Sequence, residues 1–373
     1  MTELPRYDRD RSYDWNYAHA PEPVECDVPQ LAGSWAFCGL RVASPLGVAA
    51  GPLLNGKWVR YYASLGFDVL TYKTVRSVER ACYPLPNLVP VAVDKMLGDE
   101  RQVSTSGEMR RTWAVAFGMP SKAPEVWRAD VENTRNLLPH GKVLVVSVVA
   151  TEQPDWKIEQ LADDYARCAK WAVESGADAV EMNFSCPNVC TADGQLYQHP
   201  REAGWCAMRV REVVGPQFPL LVKVGHVRSA EDADALIDAL EPHVDALSMT
   251  NSVATRVVDP EGNFLFDGQS RGICGAAILE PSIAQVRMLR QVVTRPLLAS
   301  ATKYYTAGKS LDAPAPVVGR GGNGQPLRLV GVGGAFNGDD VRRYLVAGAE
   351  AVHLATAAML EPDVALRIRR ELV

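Results

Sequence analysis

From Leu46 to its end the chain alternates short apolar runs with longer amphipathic ones, and this rhythm restricts the fold more than any other feature. Short apolar runs bounded by turn residues read as strands buried on both faces, which belong to parallel sheets. The candidates are 46–50, 68–72, 143–149, 179–183, 220–224, 246–249, 328–332 and 351–355. Amphipathic stretches at 155–175, 201–214, 230–240, 282–293, 339–347 and 362–372 read as the helices between them. Gly176-Ala177-Asp178-Ala179-Val180 and Gly348-Ala349-Glu350-Ala351-Val352 are one device used twice: Gly ends a helix and the chain enters a strand. Eight such units closing on themselves make an α/β protein of the (β/α)8 TIM-barrel class. A doubly wound open sheet is the alternative, because periodicity does not show closure.

Two stretches break the rhythm. Residues 76–113 are too long for a simple βα loop and suggest an excursion across the top of the barrel. Residues 301–326, with Gly319, Gly321, Gly322 and Gly324, read as an irregular insertion before the seventh strand. Residues 1–38 are expected to form an extended N-terminal arm, Pro-, Tyr- and charge-rich at its start, and 39–373 the barrel domain.

Charge and cysteine usage narrow the function. A net charge of −5 gives no basic field for nucleic acid or an anionic membrane. No apolar run approaches the length of a membrane span. The eight cysteines include no Cys-x-x-Cys pair, so no metal site is expected. Without a secretory opening, the expectation is a cytoplasmic protein with reduced thiols.

The chemistry gathers where the strands end. Asn183-Phe184-Ser185-Cys186-Pro187-Asn188 follows the fourth strand directly, and its two amides can hold a flat, amide-rich ligand from two sides. Cys186 between them is placed to move a proton; taken alone it would read better as an inert core thiol. Lys73 and Lys223 close two apolar runs. One such lysine is explained equally well by a structural ion pair; two at strand ends point to a bound anion. Thr250-Asn251-Ser252 ends the sixth strand. Gly331-Val332-Gly333-Gly334 after the seventh and Ala355-Thr356 after the eighth fall where these barrels bind phosphate through bare N–H groups. Gly275, ahead of the next helix, offers a further backbone donor. No Gly-x-Gly-x-x-Gly follows a strand, so a dinucleotide site is not indicated. A phosphate site, two cations and a thiol among amides together suggest FMN beside a small polar heterocycle.

With these residues in view the chain resembles the dihydroorotate dehydrogenase family from about Gly39 to the C-terminus. The resemblance is carried by the Asn183–Asn188 motif, Ala49-Ala50-Gly51, Lys73-Thr74, Tyr83-Pro84-Leu85-Pro86, Phe117-Gly118-Met119-Pro120, Thr250-Asn251-Ser252, and the two phosphate loops. It implies that Cys186 is the base taking a proton from C5 of a dihydropyrimidine while hydride leaves C6 for flavin N5. Lys73 then lies between flavin and substrate, and Lys223 near flavin N1 and O2. The implied substrate contacts are Lys73, Phe117, Gly118, Met119, Asn183, Asn188, Asn251 and Ser252. The implied cofactor contacts are Ala50, Gly51, Lys73, Thr74, Asn183, Lys223, Thr250, Gly275, Gly333, Gly334, Ala355 and Thr356. Cysteine at position 186 is similar to the cytosolic class, whose members are commonly homodimers.

One departure bears on the substrate. The family has a substrate-binding Asn where this chain has Val115. Losing that amide costs about 1–3 kcal/mol if the ligand keeps a buried polar group there. The expectation is an FMN-dependent oxidoreductase of dihydroorotate; the alternatives are a relative acting on another cyclic amide or reduced pyrimidine, and a catalytically silent flavoprotein. Fumarate, or NAD through an electron-transfer partner subunit, are the acceptors the resemblance offers.

Overall fold

The computed structural model describes residues 4–185, 195–294 and 327–373. Eight parallel strands close into a barrel in sequence order: β1 (Leu46–Val48), β2 (Val69–Val75), β3 (Val143–Val148), β4 (Ala179–Asn183), β5 (Leu220–Lys223), β6 (Ala246–Met249), β7 (Arg328–Val332) and β8 (Ala351–Leu354). β4 to β8 agree with the sequence expectation to within a residue at either end. β2 runs three residues further, to Val75, so Lys73 lies inside the strand. The expected insertion at 301–326 falls outside the described residues.

Helices cover the barrel, and their ends carry the signals that start and stop them. Asn55, Ser229 and Asn337 cap the helices Gly56–Ser64, Ala230–Leu240 and Gly338–Val346, each side chain accepting from the backbone N–H of the helix's third residue. Gly176 and Gly348 have φ of 91° and 104°, the left-handed conformation that ends a helix cheaply only at glycine. Two further helices, Gly56–Ser64 after β1 and Pro124–Leu137 before β3, complete the cover.

Alternation along the strands divides the interior in two. Val69, Val143, Val145, Ala179, Leu221, Ala246, Val330 and Ala351 point into the lumen and form a small core at the N-terminal end. A hairpin of Trp35–Phe37 with Leu40–Val42 plugs that end with Phe37, Cys38 and Val42. Full burial of Phe37 contributes about 1.5–3 kcal/mol. The residues between them on the strands, such as Leu70, Val180, Met182 and Val222, face the helices and belong to the larger outer core.

The excursion at 76–113 is a second sheet. Leu88–Pro90, Thr112–Val115, Arg271–Gly275, Val253–Val258 and Gln102–Ser104 lie side by side in that order. These strands come from the segments following β2 and β6, so the sheet stands at the C-terminal end of the barrel. The N-terminal arm is extended except for one helix, Tyr13–Ala18, capped by Ser12. Tertiary contacts hold it there: Trp58 Nε1 donates to Asn16 O at 3.0 Å and Asn55 Nδ2 to Tyr17 O at 2.8 Å. Among the described residues no helix is long and apolar enough to cross a membrane.

Candidate active site

The lumen turns polar toward the C-terminal ends of the strands. On β2 the inward series is Val69 then Thr71; on β4 it is Ala179, Glu181, Asn183; on β5, Leu221, Lys223; on β6, Ala246, Ser248, with Thr250 just beyond. The sequence rhythm therefore places an apolar seat beneath a polar surface, as expected where such barrels carry their chemistry.

A bulge shapes the end of β2. Its ladder with β3 slips between Tyr72 and Val75, both of which pack in the outer core. The extra residue brings Lys73 and Thr74 together at the site. Lys73 is 7% exposed and its N–H donates to Leu53 O at 2.9 Å. Thr74 Oγ1 lies 3.0 Å from Ser147 Oγ.

Asn183 is held at the end of β4 by three bonds. Its carbonyl accepts from Tyr165 OH at 2.9 Å, and its Oδ1 accepts from Ser185 N at 3.2 Å and Ser185 Oγ at 2.9 Å. That fixes the amide with Nδ2 toward Thr74 Oγ1 at 3.5 Å and Met119 Sδ at 3.9 Å. Both contacts are long, so the donor stays available to a ligand. Lys223, 5% exposed, sits directly opposite Asn183 on the neighbouring strand.

Phe117, Gly118 and Met119 enter from the upper sheet. Arg76, buried at the end of β2, donates through Nε to Met119 O at 3.1 Å and through Nη1 to Ala150 O at 2.7 Å. It is a positioning group that sequence reading missed; its one signal is an arginine directly after a buried strand. Tyr7 of the arm packs edge-on against Phe117 at 6.0 Å. The arm therefore buttresses the loop that holds three of the implied substrate contacts.

Thr250, Asn251 and Ser252 follow β6. Thr250 N–H donates to Val332 O at 2.6 Å and Asn251 N–H to Val224 O at 3.0 Å. Thr250 Oγ1 is fully buried without a partner among the described residues. Ser252 faces Gly272 so closely that a Cβ there would lie 2.4 Å from its Oγ. Cys274 Sγ contacts Asn251 O at 3.6 Å; burial pushes this thiol up to about 12, against the pull of nearby Lys223, so it stays protonated.

The phosphate loops fit the group expected there. Gly333 and Gly334 have φ of 117° and 76°, and a Cβ on Gly334 would lie 2.6 Å from Leu279 Cα. Neither of their N–H groups donates to a described residue, which leaves two backbone donors at the end of β7. Ala355 and Thr356 stand beside them after β8, Thr356 buried. Gly275 (φ 105°) lets the chain pass close to Arg111 O, 2.1 Å from where a Cβ would stand. Ala50 is buried, while Gly51 faces open space. Two spare backbone donors, an orphan hydroxyl and two buried lysines suit an anionic, phosphate-bearing ring system.

Cys186, Asn188 and the neighbouring Cys190 lie outside the described residues. Sequence reading also missed Glu181 and His353, both buried in the lumen below the site.

The family model described as dihydroorotate dehydrogenase matches residues 34–299. A dihydroorotate dehydrogenase of Dictyostelium discoideum is 27% identical, over 97% of this chain and 96% of its own length. A dihydroorotate dehydrogenase (quinone) of Bordetella avium is 25% identical, over 88% of this chain and 81% of its own. Among solved structures, the Eimeria tenella enzyme in complex with ferulenol shares the fold, with a TM-score of 0.69 at 18% identity, covering 96% of this chain and 88% of that one.

Proposed function

The chain belongs to the dihydroorotate dehydrogenase family, and on that premise we propose that it is an FMN-dependent oxidoreductase converting dihydroorotate, or a closely similar dihydropyrimidine, to the unsaturated ring. The observation that carries the reading is the convergence at one end of the barrel of Asn183 with a spare amide donor, the buried Lys73 and Lys223, and the free N–H groups of Gly333 and Gly334.

When bound, FMN supplies the two-electron acceptor for the hydride that leaves C6. Cys186 takes the C5 proton, and the ring gains its double bond. A positioned general base of this kind accelerates the step by about 100-fold or more. Asn183, Asn188, Asn251 and Ser252 grip the amide edges and the carboxylate. Phe117, Gly118 and Met119 close the substrate from the upper sheet. Lys73 would contact both ligands, and Lys223 would supply fixed positive charge to the bound cofactor, an interaction that needs no reorganisation during the step. Ala50, Gly51, Thr74, Thr250, Gly275, Ala355 and Thr356 complete the cofactor's surroundings.

The test is direct. The purified protein should be yellow, release noncovalent flavin on denaturation, and bleach anaerobically when dihydroorotate is added. A protein that neither carries nor takes up flavin ends this reading. Val115 favours one variation. It lies half-buried in the strand Thr112–Val115, opposite Gly272, two residues before Phe117. An isopropyl group there suits a cyclic amide lacking one polar substituent, and a yellow protein that dihydroorotate leaves oxidised would select that reading. The proposal includes a cytoplasmic homodimer, supported by the likeness of Cys186 to the cytosolic class; sedimentation of the holoprotein tests the oligomer.

A further inference from the structure

At the polar surface of the site and one level beneath it, the lumen holds two oppositely charged side chains, Lys223 and Glu181, that nothing in the reaction scheme relates to each other. Glu181 on β4 is 2% exposed and Lys223 on β5 is 5% exposed. Each lies two residues beyond a lumen-facing apolar residue, Ala179 and Leu221, and so points to the same interior. The register sets Lys223 opposite Asn183 and Leu221 opposite Glu181. Glu181 is thus the diagonal neighbour of Lys223 on the adjacent parallel strand, one level deeper.

Neither side chain forms an ion pair or hydrogen bond with a described residue, and Glu181 Oε1 is buried without a partner. The groups around them are also unpartnered: Thr71 Oγ1, Ser248 Oγ, and both ring nitrogens of His353. Ser248 stands opposite Lys223 on its other side. Burial holds the His353 imidazole down at about 3, with Lys223 adding to the effect, so the ring is neutral and brings no rival charge. A lone buried charge is very costly, and two opposite ones in one closed lumen offset each other. Unpartnered polar atoms on several walls are the setting in which buried water bridges groups.

We propose that Glu181 is the counter-charge of Lys223, joined to it by water across the lumen, and that this pair sets how strongly Lys223 stabilises the reduced flavin. Glu181 is a positioning residue, since it acts through Lys223. The inference rests on the flavin reading above and deepens it.

Redox titration of the holoprotein tests it. Glu181→Gln leaves the lysine charge uncompensated, so the flavin should become easier to reduce, by tenfold or more in equilibrium constant, about 30 mV for a two-electron couple. With Lys223→Met already present, the same substitution should have little effect. An unchanged potential in Glu181→Gln, or an equal shift in both backgrounds, overturns the proposal. If Glu181→Gln alone does not fold, the double variant decides: a balanced pair predicts that Glu181→Gln with Lys223→Met folds better than Glu181→Gln alone. A double variant no more stable than that single one overturns it. Parental protein that holds no flavin would instead overturn the functional reading, so the two failures are told apart.

Discussion

The two ends of the barrel treat buried charge in opposite ways. At the N-terminal end an acid stands immediately before each even-numbered strand, and each has a basic partner. Asp68 before β2 accepts from Lys142 Nζ at 2.7 Å, from Ser44 Oγ at 2.5 Å and from Arg369 Nη2. Asp178 before β4 pairs with Arg135 at 2.5 Å, Asp245 before β6 with Arg211 at 2.7 Å, and Glu350 before β8 with Arg328 at 3.0 Å. Arg369 also donates to Gly66 O and Pro29 O, tying the last helix to the strand entrance and the arm. Toward the other end Lys223, Glu181 and Thr250 are buried and have no such partners among the described residues. One end matches each acid with a basic residue of the protein; the other holds polar groups ready for a ligand. A barrel that pairs its charges at the bottom can tolerate unpaired ones at the top.

Substitutions at each end should therefore fail differently. The largest effect is expected from Gly334→Asp, whose side chain would meet Leu279 backbone and set a carboxylate where the phosphate is held. Flavin released by denaturation should fall to none while the circular dichroism spectrum stays parental. A yellow Gly334→Asp protein would remove that loop from the cofactor site.

Asp68→Ala comes next and acts at the opposite end. Removing one partner of a buried pair costs about 3–5 kcal/mol, here leaving Lys142 and Arg369 without their counter-charge. The denaturation midpoint should drop sharply, with the flavin potential of the folded fraction unmoved. A shift in potential would show that the two ends are not separate.

Cys186→Ala should keep its colour and its response to dithionite, while reduction by substrate slows by about 100-fold. Cys190→Ala, outside the matching motif, serves as the control and should behave like the parent. Parental rates in Cys186→Ala across the pH range would leave that thiol a packing residue. The smallest expected effect is that of Lys223→Ala on potential. Losing the positive charge should make bound flavin harder to reduce by at least tenfold, about 1.4 kcal/mol. An unshifted potential would return Lys223 to a purely structural role.

Much of this was legible because strand ends announce themselves locally. Asn183 terminates an apolar run, Gly333 and Gly334 follow another, and Lys73 and Lys223 interrupt runs that should hold no charge. What stayed illegible depends on partners distant in sequence. Glu181 reads as one polar residue in a strand, and only the register with β5 sets it diagonal to Lys223. The helix Tyr13–Ala18 has too few residues to show a stripe and exists against the helix Gly56–Ser64, through Asn16 and Tyr17. The upper sheet assembles short strands from segments that lie more than a hundred residues apart, so no local periodicity marks it.

By itself the sequence determined the alternation of elements, the places where helices stop, and the residue types offered at each strand's end. These follow from side-chain periodicity and backbone preference, which act over a few residues. Tertiary structure decided closure, the bulge that brings Lys73 beside Thr74, the arm braced on Phe117, and the segregation of paired from unpaired charge. Each of these depends on which strands become neighbours and at what level, and register is set by packing across the whole barrel.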